Sequence, residues 1–274
     1  MSTPRRSLAV ALTLPVILAP ALVPSAAVAR TRASITSMAS LGDSITRGFN
    51  ACGFYLDCPS RSWSTGSASS VNSLYLRLKE ANPRLAAHND AKTGAKVAEL
   101  PAQAERAVSQ RAGYVTILIG ANDACTSSEE EMTSVADYEA AFRTALRILT
   151  DGLPGAEILV ASIPDVRRLW EVAKDKTAAR VAWATLNICQ SLLERPRSTA
   201  PEDVARRERV YARVVDFNMV AEKVCAEYPT CRDDGGAVFD RRFGLSDINR
   251  WDYFHPNAAG QRLLAELIHP ADDR

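Results

Sequence analysis

Residues 114–119, Tyr-Val-Thr-Ile-Leu-Ile, form a nearly unbroken apolar run that stops at Gly120-Ala121-Asn122-Asp123. A strand that is apolar on successive residues, not alternate ones, must be buried on both faces, as the central strands of parallel sheets are. A second such run fills 158–163 and is closed by Pro164. Between them lie a helical pattern over 137–151 and a Leu153-Pro154-Gly155 turn. Parallel neighbours need a long crossover, usually a helix, so this order specifies a βαβ unit. The chain is therefore constrained to an α/β fold.

The other segments extend the same alternation. Residues 35–41 read as a short buried strand running into Gly42, and 85–91 as another that leads into Thr93-Gly94-Ala95. Helical spacing appears at Val71, Leu74, Tyr75 and Leu78 and ends at Asn82-Pro83, where the residue before proline is pushed out of the helical region. Further helices are expected over 97–111, 201–227 and 257–268, the second of them with an apolar face through Val204, Val210, Val214 and Phe217. A brief strand is expected at 237–239. The 50–70 loop is long and rich in Ser, Gly, Pro and Cys. Residues 165–200, with Trp170 and Trp183, read either as an insertion walling a site or as a helical excursion packing its tryptophans on the core. The expected architecture is a three-layer, flavodoxin-like fold with about five parallel strands between helices, in one domain over 30–274.

The first residues have a different character. Arg5 and Arg6 precede an apolar stretch over 8–23 broken by Pro15 and Pro20, and Ala27-Val28-Ala29 is a small-x-small cleavage pattern. These are the marks of a secretory signal over 1–29. The run is short for a span and carries two prolines, so no stable membrane anchor is expected. Without those residues Lys+Arg falls from 33 to 31 against 32 Asp+Glu. The basic residues are scattered, so no nucleic-acid partner is expected, and a monomer is the simplest state.

Six cysteines suit an exported chain held by disulfides. Cys52 and Cys58 are close in sequence, as are Cys225 and Cys231, which leaves Cys125 for Cys189 as one of 15 possible connectivities. A zinc site would want a Cys-x-x-Cys pattern that the chain lacks, and three histidines offer few ligands. No metal or other cofactor is expected.

The apolar strand 35–41 breaks into Gly42-Asp43-Ser44, which places a serine where open α/β sheets hold their ligands, at the carboxyl end of a strand. A serine nucleophile needs a base, and histidine is the usual one. His88 stands just ahead of a strand and His269 in the terminal stretch, which leaves His255, with Asp252 three residues earlier to hold its tautomer. A tetrahedral oxyanion would need donors. The N–H of Ser44, the N–H of Gly94 and the side-chain amide of Asn122 can supply them.

Taken in order, Gly42-Asp43-Ser44, Gly94, Gly120-Ala121-Asn122-Asp123 and Asp252-x-x-His255 resemble the blocks of the SGNH (GDSL-type) hydrolase family, whose named Ser, Gly, Asn and His fall on Ser44, Gly94, Asn122 and His255. The Gly-x-Ser-x-Gly elbow of the α/β hydrolases is absent. Arg61-Ser62-Trp63-Ser64-Thr65-Gly66, Leu100-Pro101-Ala102-Gln103-Ala104 and Asn122-Asp123-Ala124-Cys125 are similar to the phospholipase B-like branch. The resemblance implies a secreted serine esterase or lipase acting on lipid acyl esters, with Ser44, His255 and Asp252 as triad. A carbohydrate acetylesterase on the same machinery, or a non-catalytic secreted binding protein, are the alternatives.

Overall fold

A computed structural model describes residues 34–53 and 55–272. The expected leader over 1–29 lies outside them. The chain runs β1 (Ser37–Gly42), α1 (Ser44–Arg47), α2 (Leu74–Ala81), β2 (Ala86–Asn89), α3 (Leu100–Ser109), β3 (Tyr114–Leu118), α4 (Ala121–Ala124), α5 (Val135–Gly152), β4 (Glu157–Val160), α6 (Val166–Ala173), α7 (Thr177–Thr185), α8 (Gln190–Leu193), α9 (Pro201–Cys225), β5 (Cys231–Asp233), α10 (Ala237–Asp240) and α11 (Ala258–Asp272). The five strands are parallel in the order β2-β1-β3-β4-β5.

That order reverses direction between β1 and β3. The chain steps from β1 outward to β2, then crosses back to β3 and continues to β5. Right-handed crossovers put α2 on one face of the sheet and α3, α5 and α9 on the other, and α3 packs on α5 as α5 does on α9. All residues of β1 and β3 are buried, as their apolar runs require. The crevice at such a reversal, outside the carboxyl ends of the strands, is where this architecture binds ligands.

Two local readings need correction. The segment 237–239 is the first turn of α10, not a strand. Gly235 and Gly236 adopt positive φ, and the buried Asp234 carboxylate accepts the N–H groups of Gly236 and Val238 at 3.1 Å each, so the turn is capped into a helix. The fifth strand is instead Cys231–Asp233, whose Arg232 and Asp233 give no apolar run. His88 lies inside β2, not ahead of it. Residues 165–200 fold into α6, α7 and α8, and both readings of that stretch hold: Trp183 is buried and donates to Tyr253 O at 3.3 Å, while α6 lines the cleft described below. Disulfides join Cys52 to Cys58, Cys125 to Cys189 and Cys225 to Cys231.

Candidate active site

The serine turn is built from β1 outward. Gly42 has φ +147°, and a Cβ there would sit 2.2 Å from Leu118 O on β3, so only glycine lets the two strands approach this closely. The Gln103 amide of α3 clamps the turn, accepting the Gly42 N–H at 2.7 Å and donating to Gly42 O at 2.9 Å. Asp43 caps α1 through Oδ1, which accepts the Ile45 N–H at 2.9 Å. Gln261 of α11 donates to Ile45 O at 2.8 Å and accepts the Trp63 N–H at 2.9 Å. Ser44 thus opens a short helix whose first N–H groups have no partner within the helix. The turn's backbone is held by Gln103, Asp43 and Gln261. Asp43 is fully buried, and loss of hydration pushes its carboxyl up to about 7 against the pull of the Ile45 N–H and of His255.

The histidine comes from a loop tied to itself. Asn249 N–H donates to His255 O at 2.8 Å, Asn257 N–H to Asp247 O at 3.0 Å, and Ile248 bridges Pro256. Within that loop Asp252 Oδ1 accepts the N–H groups of Phe254 (2.8 Å) and His255 (3.1 Å). Its Oδ2 lies 2.8 Å from His255 Nδ1, and His255 Nε2 lies 2.8 Å from Ser44 Oγ. Burial opposes ionisation of Asp252, yet the His255 hydrogen bond and charge, the Phe254 N–H and the Asn50 amide together hold it below the ordinary carboxylate range. An ionised Asp252 accepts a hydrogen bond from Nδ1–H and so fixes that tautomer. Nε2 is then left as the acceptor for the Ser44 hydroxyl. Phe49 and Phe254 set their ring edges against the imidazole at centroid distances of 4.9 and 5.2 Å.

Two further loops meet at the same sheet edge. Gly94 follows β2 with φ +83°, and the Asn122 amide at the end of β3 donates to Ala95 O at 3.0 Å. Asp123 fastens the pair from below, accepting the Val97 N–H at 2.9 Å and the Thr133 hydroxyl at 2.7 Å. Because Gly42 pairs with Leu118 in register, the Ser44 turn and Asn122 leave the sheet side by side. An amide carries two N–H donors, so Asn122 keeps one beyond its bond to Ala95.

Beside His255 opens a cleft with apolar walls from Ile45, Ala121, Val166, Leu169, Phe243 and Phe254 and one carboxylate, Asp165. The Arg61–Gly66 motif does not line it. Trp63 is buried and its Nε1 donates to Thr46 Oγ1 at 3.3 Å, Ser64 Oγ meets Thr116 Oγ1 at 2.6 Å, and Thr65 Oγ1 meets Ser40 Oγ at 3.0 Å. That motif anchors the serine strand.

Asn50 was not identified from the sequence. It is buried at φ +61°, donates through Nδ2 to Asp252 Oδ2, and accepts the Tyr55 N–H at 2.5 Å. Asn249 Nδ2 in turn donates to Asn50 O at 2.5 Å. No sequence pattern marks it. Gln103 did leave a signal, as a polar residue on the same helical face as the buried Leu100, Ala104 and Ala107. Among the described residues no group of three or more His, Cys, Asp or Glu is arranged to hold a metal ion, and no helix is long and apolar enough to cross a membrane.

A family model described as GDSL-like Lipase/Acylhydrolase matches residues 38–268. No curated protein matches the chain. Among solved structures, the chain is similar to an alpha/beta hydrolase enzyme from the metagenome of Lake Arreo, at 18% identity and a TM-score of 0.55 over 87% of this chain and 95% of that one. It is similar to a lipase from a goat rumen metagenome at 15% identity and TM-score 0.54, over 86% and 96%. An acetyl xylan esterase from Geobacillus stearothermophilus aligns at 18% identity and TM-score 0.51, over 86% and 94%. At these identities the likeness speaks to the fold.

Proposed function

The chain belongs to the GDSL-like lipase/acylhydrolase family, and from that premise we propose a secreted, monomeric serine esterase that hydrolyses lipid acyl esters without a cofactor. The observation that carries this reading is the unbroken contact chain Asp252–His255–Ser44, with 2.8 Å at each link. Ser44 Oγ attacks the acyl carbonyl as its proton passes to His255 Nε2, and Asp252 stabilises the imidazolium. The oxyanion is received by the Ser44 and Gly94 N–H groups and the remaining Asn122 N–H. The imidazolium then protonates the leaving alkoxide. Water, activated by the same His255, hydrolyses the acyl-Ser44 ester.

The cleft supports a lipid acyl chain as the substrate class. Its walls begin at His255 and are apolar apart from Asp165, so an acyl chain bound there removes hydrocarbon from water, at about 0.8 kcal/mol per methylene. An acetyl group would leave those walls wet. In a nitrophenyl ester series from acetate to octanoate, kcat/KM should rise about fourfold per added methylene, and Ser44→Ala should abolish turnover with the circular dichroism spectrum intact. A series that peaks at acetate, with acetylated sugar as the better substrate, would select the acetylesterase reading. Failure of the folded wild-type protein to react with a serine-directed phosphonate would favour a binding protein. Support for secretion comes from the leader-like first residues and the three disulfides.

A further inference from the structure

Helix α6 lines two cavities. Val166 and Leu169 face the apolar cleft, whereas Trp170 and Lys174, one turn further along, face a separate open cavity of about 630 Å³. Its other walls include Arg197, Ser198, Thr199 and Arg207. Residues four apart on a helix have Cβ atoms about 6 Å apart, so the second cavity begins one helical turn from the first.

The charges in this cavity are not balanced. Lys174 Nζ lies 4.2 Å and the Arg207 guanidinium carbon 4.6 Å from the centre of the Trp170 ring. Trp170 is fixed by its own bond from Nε1 to Pro196 O at 2.7 Å. Arg207 is only 4% exposed. Its Nη2 donates to Ser198 O at 2.7 Å, its Nη1 has no partner, and among the described residues no carboxylate lies within ion-pair distance of it. Burial and the neighbouring Arg206 charge act against its protonated form, and the more distant charges of Asp203 and Glu208 offset them only in part. Arg206, beside it, also leaves its Nε without a partner, but its charge is met: it donates to the carbonyls of Gln190, Ser191 and Glu194 and pairs with Asp203 at 3.0 Å. The cavity's one lining carboxylate, Asp175, sits 3.7 Å from Arg197, and both are well exposed.

A buried guanidinium with an unused donor costs stability unless a counter-charge reaches it. We infer that this cavity is an anion site for a phosphate group, held by Arg207 and Lys174 beside Trp170 with Arg197 at the rim. Phosphate carries up to two charges and three acceptor oxygens, matching a fork of guanidinium donors and an ammonium better than a single carboxylate does. The same group can arrive as free phosphate or as the head of a molecule whose chain continues past α6 into the apolar cleft.

Binding is readable without turnover, so the test does not depend on the esterase reading. Wild-type protein is titrated with inorganic phosphate and, separately, with hexyl phosphate, which contains no carboxylic ester. The signal is tryptophan fluorescence, with Trp170→Phe as the control that should lose it. A saturable change is expected, weakened about fivefold by Lys174→Ala, the scale of one partly exposed charge. Arg207→Met should weaken it at least tenfold, and salt should weaken it further. Lys174 is partly exposed, so its variant keeps the test valid if Arg207→Met fails to fold. Equal affinity for the two probes identifies free phosphate as the ligand, and tighter hexyl phosphate identifies a headgroup. No saturable change with either probe, or one untouched by Lys174→Ala, overturns the assignment.

Discussion

Asp43 stands one residue before Ser44, the proposed nucleophile, with Oδ1 on the Ile45 N–H and Oδ2 on nothing. Burial raises its carboxyl from 3.8 to about 7 in the fold. A carboxyl raised by folding binds its proton more tightly in the native state, so its contribution to stability is complete below pH 4 and is lost as pH rises through 7, at about 1.4 kcal/mol per pH unit. Asp43→Asn copies the protonated acid: it keeps the Ile45 acceptor and puts an amide where the acid hydroxyl stands. The variant should match wild type in melting temperature at pH 4 and exceed it increasingly up to pH 7–8, whereas parallel melting profiles would refute the account. Asn50 acts on the other partner of the relay. Its amide supports Asp252 from behind and is absent from the cleft walls, so it is a positioning residue. Losing a hydrogen bond to a buried charge costs roughly 1.5–3 kcal/mol. Asn50→Ala should therefore lower kcat about ten- to a hundredfold with KM nearly unchanged, and a change confined to KM would show that it serves binding.

At the scale of elements, the order of strands and helices was readable because each central strand buries both faces and announces itself as an apolar run. Where burial is one-sided the signal fades. β5 has three residues, two of them charged, and only its pairing with β4 makes it a strand, whereas the apolar Ala237-Val238-Phe239 is turned into a helix by Asp234 some residues before it. The site divides in the same way. Ser44, Asp252 and His255, which the fold brings within hydrogen-bond distance of one another, were legible as candidates at strand ends and loops, while Asn50 was not, since its contact is with Asp252, 202 residues away. The disulfides also belong at this scale. Cys125–Cys189 closes 64 residues and ties the end of α4 to the start of α8, while Cys52–Cys58 closes six. Chain entropy gives about 4 kcal/mol for the long loop against about 2 for the short one. Replacing Cys125 and Cys189 by alanine should thus shift the urea midpoint about twice as far as replacing Cys52 and Cys58, and the reverse order would show that the denatured chain is already ordered there.

Over the whole molecule, one apolar core runs from Ile35 to Ile268 without a break between elements, and every part of the site is bolted to it. Gln103 reaches the serine turn from α3, Gln261 from α11, and Asn50 joins the first loop of the chain to the last. Active-site loops are commonly the least stable part of an enzyme, opening well before the fold does. Here the histidine loop is closed by its own backbone bonds at 247–257, 249–255 and 248–256 and by Trp183 beneath Tyr253, so separating His255 from Ser44 requires breaking contacts that also hold α7 and the 50–58 loop. Loss of the site should then coincide with loss of the core. In urea, the decline of esterase activity and of far-ultraviolet circular dichroism should share one midpoint and one slope, the signature of a single cooperative unit. For residues 211 positions apart to remain 2.8 Å from each other, the sheet between them must be intact. Activity that vanished at lower urea than the helical signal would mean the relay is held by its loop alone and not by the fold.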